Sequence, residues 1–126
     1  MLKEGQTDKL DIDHLVEELE DMSKSNFREL ENCLLILIAH LLKWQFQPKR
    51  QSGSWRGSII EQRVRLTRLL KQMPSLQVQL GNAVIDVYSD SIILASKETK
   101  LSKSIFPYDC PYSLTQLLDD DFYPKP

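Results

Sequence analysis

The sequence predicts an all-α protein, a single domain resembling a four-helix bundle with an irregular C-terminal segment. Three observations carry this. Four stretches keep apolar residues at three- and four-residue spacing, the pattern of a helix with one buried face. Ser, Asp or Pro stands at the ends of these stretches, where helices start and stop. At 126 residues, with 41% hydrophobic and 27% charged side chains, the chain suits one globular core and is too apolar for global disorder.

The first helix is expected over residues 12–22, with Asp11 as N-cap, Asp13 in the first turn, and Ile12, Leu15, Val16, Leu19 and Met22 on one face. The polar step Ser23-Lys24-Ser25-Asn26 is expected to weaken it and to cap the next helix, over residues 26–46. There Phe27, Leu30, Leu34, Leu37, Leu41 and Trp44 form a stripe that Cys33, Leu35, Ile36 and Ile38 widen around most of the circumference. A helix apolar nearly all round is central or lies at an oligomer interface. Pro48 stops it, and Ser54 is the expected N-cap of a third helix over residues 55–73, which buries Trp55, Ile59, Leu66, Leu69 and Met73. Pro74-Ser75 leads into a fourth over residues 76–99, where Leu76, Leu80, Ala83, Val84, Val87, Ser91, Leu94 and Ala95 recur. Some windows there are rich in β-branched residues, but the sustained helical period decides for helix. Ser113 and Gln116 make a capping box for a short helix over residues 114–118. Leu34, Leu37, Leu41, Trp55, Leu66, Leu69, Val84 and Val87 are the expected core.

The uncharged apolar run from Cys33 to Ala39 falls well short of the roughly 20 residues that cross a bilayer. The N-terminus has no secretory signal pattern, so the expectation is a cytoplasmic protein without a membrane partner. Two cysteines, Cys33 in an apolar helix and Cys110 in a late loop, make neither a disulfide framework nor a zinc site. No metal or cofactor is expected.

Charge is divided along the chain. Residues 1–31 carry four basic and ten acidic side chains, residues 32–75 eight and one, and residues 76–126 four and seven. In a bundle, the acidic first helix is expected to lie against the basic third one, with Glu17, Glu18 or Asp21 pairing to Arg56, Arg63 or Lys43. Arg63 is then the inward-facing arginine, while Arg65 and Arg68 are solvated. Glu17, Glu18 and Asp21 with His40, Lys43 and Arg63 form the one candidate polar site, in which His40 would act as acid or base. A structural histidine, satisfied by a carboxylate or by Gln62 and Arg63, is the favoured reading of His40, and a solvated face that of the carboxylates. Lys49, Arg50, Arg56, Arg65 and Arg68, with Lys71 and Trp55, are the candidates for nucleic-acid binding. Their spread around a helix, and a pI near 5.7, argue against that use.

The strings LDIDHLVEELEDM, HLLKWQFQP, SWR at Ser54 to Arg56, EQR at Glu61 to Arg63, FPYDCPYSLTQLL and the acidic DDDF resemble a largely bacterial, cyanobacterium-rich family, domain of unknown function 29, from Leu10 to about Phe122. The resemblance implies a small α-helical cytoplasmic protein and supplies no active site. Members of that family usually carry an acidic and aromatic segment, of the kind Y-x-x-D-F-x-x-W, before the first helix; the present chain is expected to begin after it. The expected function is a protein interaction module, a homo-oligomer or partner-binding protein that associates through the wide apolar face of the second or fourth helix. The alternative is a nucleic-acid-binding protein or nuclease using the third-helix cations and the His40 cluster.

Overall fold

In the computed structural model, which describes the backbone from Glu4 and the side chains from Lys24 to Pro126, the apolar stripes assemble into an all-α fold. Helix α1 spans Glu4–Phe46, α2 Gly53–Gln72, α3 Leu80–Thr99 and α4 Leu114–Leu118. Short 3₁₀ turns occupy Pro48–Arg50, Pro74–Gln79 and Lys103–Ile105, and no strand occurs among the described residues.

Two of the expected helices are one. The step from Ser23 to Asn26 does not interrupt α1, because it contains neither Pro nor Gly, and Ser and Asn each cost a helix interior only about half a kcal/mol. Helix α2 begins two residues earlier than expected, with Ser52 rather than Ser54 as N-cap; the Ser52 hydroxyl accepts the Trp55 amide at 3.2 Å. Helix α3 begins later than expected, at Leu80, since Pro74–Gln79 first forms a 3₁₀ turn that still buries Leu76. With a rise of about 2.0 Å per residue, a 3₁₀ turn spans more distance than α-helix between two antiparallel neighbours. The left-handed Lys100, at φ 63°, closes α3, its amide bonded to Ser96 O at 2.8 Å.

Helix α2 runs back along α1 and α3 runs parallel to it. Asn26 meets Met73 at one end of the α1/α2 pair and Trp44 meets Arg56 at the other. On the opposite side the Ser91 hydroxyl donates to Leu35 O at 2.9 Å, and Glu98 meets Lys43. Flanked on two sides, α1 is central: Leu30, Leu34, Leu37, Ile38, Leu41 and Leu42 are fully buried. Its all-round apolarity is thus explained within one chain. Ile59, Leu66 and Leu69 of α2 and Ala83, Val84, Val87 and Ala95 of α3 complete the helical core. Trp55, expected in the core, is half-buried against its edge.

After Lys100 the chain wraps over the bundle. Phe106 packs edge-on against Phe46 at 5.4 Å, the Tyr88 hydroxyl donates to Pro107 O at 2.7 Å, and the Tyr112 hydroxyl donates to Gln45 Oε1 at 2.8 Å. Phe106, Tyr112 and Leu117 are buried members of the same core. Helix α4 carries the expected capping box, with Ser113 and Gln116 bonded reciprocally.

Leu37 is fully buried in the second half of α1, so Leu37→Ala removes a core side chain and leaves a cavity. Denaturant unfolding should show a loss of about 2–5 kcal/mol; a loss under about half a kcal/mol would mean that this face of α1 is not packed.

Candidate functional site

Two buried cations organise one corner of the fold, where the end of α1 meets the start of α2 and the C-terminal segment crosses both. Lys43 is 3% exposed. Its ammonium pairs with Glu98 at the end of α3 and lies 4.8 Å from the Trp55 ring centre. Glu98 is the partner that sequence reasoning missed. The only signal for it is register: α1 and α3 run parallel with Leu35 beside Ser91, which brings the next turns, at Lys43 and Glu98, level with each other.

Arg63 is 2% exposed and inward-facing, as expected, but its partners are not carboxylates. Its Nε donates to Leu117 O at 2.9 Å and its Nη2 to Gln116 O at 3.1 Å. These oxygens belong to the last turn of α4, where carbonyls run short of helical donors; Gln116 O also accepts the Asp119 amide at 3.3 Å, and the guanidinium closes that helix from outside. The Nη1 atom is buried without a partner. Burial lowers the Arg63 pKa, opposed by Tyr123, Asp120 and Asp119.

Arg56 is exposed, yet it is held by aromatic rings: its guanidinium carbon is 5.3 Å from the Trp44 centroid and 4.7 Å from that of Tyr123. Arg63 approaches the same Tyr123 ring at 5.6 Å, and Trp44 and Tyr123 are 5.0 Å apart. Seven residues of helix separate the two arginines by about 10.5 Å along the axis, which is the geometry of a ring lying between two cations. Such contacts contribute about 0.5–2 kcal/mol each, more when desolvated.

The expected polar cluster does not assemble in this form. The side chains of Glu17, Glu18 and Asp21 lie outside the described residues. The continuous helix α1 separates Asp21 from His40 by 19 residues, about 28 Å at 1.5 Å per residue. Lys43 and Arg63 have the partners just given instead. His40 is satisfied by its own helix: Nδ1–H donates to Ile36 O at 2.8 Å, rather than to a carboxylate or to the Gln62 and Arg63 pair. Among the described residues no group of three or more His, Cys, Asp or Glu side chains is placed to hold a metal ion. Both thiols have raised pKa values, Cys33 to about 11, through burial first.

The nucleic-acid candidates are separated as well. Lys49 and Arg50 stand exposed on the turn after α1. Arg65 pairs with Glu61 at 2.9 Å on an exposed face. Arg68 borders a shallow hollow of about 310 Å³ with Lys71 and Asp120. Arg65 and Arg68 are neighbours three residues apart on α2, whereas Arg63 is buried and Arg56 is stacked on aromatic rings.

A second feature lies on α3. Ile85 is 75% exposed, and with Val84, Tyr88 and Ile92 it forms one wall of an open, mostly apolar groove of about 1080 Å³; Phe106, Pro107 and Tyr108 form the other. Tyr108 is 94% exposed. Lys103 and Asp109 are the oppositely charged members of the lining.

His40 supplies a pH test. Burial, and secondarily Lys43, lower its pKa below 6.5, against the opposing effects of the Ile36 bond and Glu98. Since the unfolded chain takes up the proton first, the neutral folded histidine adds stability above pH 6.5 that is lost as pH falls through its folded pKa. Unfolding free energies measured from pH 7.5 to 5 should fall more steeply for the parent than for His40→Gln. Identical slopes would show that the site does not disfavour the imidazolium.

No curated protein and no solved structure matches the chain. A family model does, over residues 1–123, under the description domain of unknown function DUF29. With nearly the whole chain matched, the protein belongs to that family.

Proposed function

We propose that this protein is a small cytoplasmic interaction module that self-associates through the outer face of α3. The observation that carries this reading is the groove between α3 and the segment from Lys103 to Leu114. Monomeric proteins seldom leave a large contiguous apolar surface in water, and a sizeable one marks an interaction site. Ile85 and Tyr108 hold most of their apolar area in solvent there.

Of the two faces with enough apolar residues to associate, that of the second half of α1 is used in the core. That of α3 is left open. A second copy suits it by charge: a twofold axis brings the same patch of two chains together, so that Lys103 of each can face Asp109 of the other. A net charge of −2 opposes such pairing only weakly. Among the described residues no helix is long and apolar enough to cross a membrane, which fits a module acting on other proteins in water.

Ile85 makes little contact within its own chain, so Ile85→Asp should leave the fold intact while placing a charge in the apolar patch. Native mass spectrometry and light scattering across a concentration series should show a dimer for the parent and at least tenfold weaker association for the variant. A parent that stays monomeric at high micromolar concentration removes self-association, and a variant that dimerises equally well removes this face.

A further inference from the structure

The C-terminal stretch after α4 has no regular secondary structure, yet it is bound in the manner of a peptide in a receptor. Arg63 reads backbone carbonyls, at Gln116 and Leu117, rather than a side chain. Tyr123 enters a slot made by Trp44, Arg56 and Arg63, and Pro124 beyond it is buried. Asp119, Asp120 and Asp121 precede the slot in the chain, and the charges of Asp119 and Asp120 favour the Arg63 guanidinium. Trp, Tyr and Arg are the side chains most enriched among those that dominate binding sites. The receptor side is not saturated either: Arg63 Nη1 remains a buried donor without an acceptor, and among the described residues neither Arg56 nor Arg63 has a carboxylate partner.

We propose that the corner formed by Trp44, Arg56 and Arg63 is a recognition site for an acidic-aromatic peptide, filled in cis by residues 119–124, and that it accepts the same segment offered in trans. Specificity comes from order. The carboxylates meet the positive field of α2, the aromatic ring fits between the two guanidinium groups, and the proline after it holds the chain extended without needing an acceptor for an amide. A tethered segment acts at an effective concentration in the millimolar range, so the cis segment excludes a free peptide until its anchor is removed. None of Trp44, Arg56, Arg63 and Tyr123 lines the α3 groove, and the test reads a different signal from oligomeric state.

Trp44 and Trp55 are the only two tryptophans in the chain, and both stand in this corner, so indole emission reports its occupancy. The probe is a synthetic peptide of residues 118–126, LDDDFYPKP, added to the full-length chain carrying Tyr123→Ala, with Tyr123→Leu as a second variant that keeps apolar bulk but offers the cations no ring. We expect saturable binding that restores the parent emission, with an apparent affinity at least tenfold higher than for the unsubstituted chain. Adding Arg56→Ala, or replacing the peptide's tyrosine by alanine, should weaken binding at least fivefold. Absence of a saturable change in both variants overturns the proposal. So does equal binding of a scrambled peptide of the same composition, since charge alone would then account for it.

Discussion

The contact between Arg63 and the last turn of α4 is the constraint on which the wrapping C-terminal segment depends. A helix of five residues does not stand by itself in water, because nucleation is costly and few hydrogen bonds repay it. Here the two ends are closed by different means. Ser113 and Gln116 satisfy the start through a capping box, and the Arg63 guanidinium satisfies the carbonyls at the end. That guanidinium comes from α2, so the act that completes α4 also fixes the wrapping segment to the bundle. Leu117 is brought with it into the core, fully buried.

Burying an arginine without a carboxylate is expensive, since desolvation of a cation costs several kcal/mol. The site offsets this through the Leu117 carbonyl, which has no other donor among the described residues, a second bond to Gln116 O, an aromatic face, and the field of Asp119 and Asp120. Lys43 follows the same logic with a different set, a carboxylate from α3 and the Trp55 ring. Each cation joins elements distant in sequence, α1 to α3 and α2 to α4, so the corner couples all four helices. The basic middle of the chain is explained in part by these duties, and its remaining exposed members point in several directions.

The helices were legible because their signals are local. The period of α1 from Phe27 to Trp44, Pro48 after it, and the Ser113 capping box each act within a few residues, and the structure has them at the expected places. Boundaries were less so: Ser52 and Ser54 are equally good caps by type, and only the Ser52 hydroxyl reaches the Trp55 amide. The step from Ser23 to Asn26 reads as a break, but its propensity cost is small beside that of Pro or Gly. The candidate site was legible by residue and not by partner. Arg63 could be named as inward-facing and Lys43 as a member of a polar cluster, whereas Glu98, Leu117 and Tyr123 are set by helix register and by the path of an irregular segment, for which one sequence carries no periodic signal. Charge counting pointed to the acidic stretch before residue 22, and a backbone carbonyl that serves as a cation's acceptor leaves no trace in composition.

The central claim is that Arg63 anchors the C-terminal segment to the helical core. Amide hydrogen exchange of the full chain carrying Arg63→Gln, beside Arg65→Gln as an exposed control, tests it most directly. The account predicts that amides of residues 114–123 lose at least tenfold protection in the Arg63 variant, while those of Leu34 to Leu42 in α1 keep most of theirs and the Arg65 variant matches the parent. Unchanged protection across residues 114–123 in the Arg63 variant would contradict it.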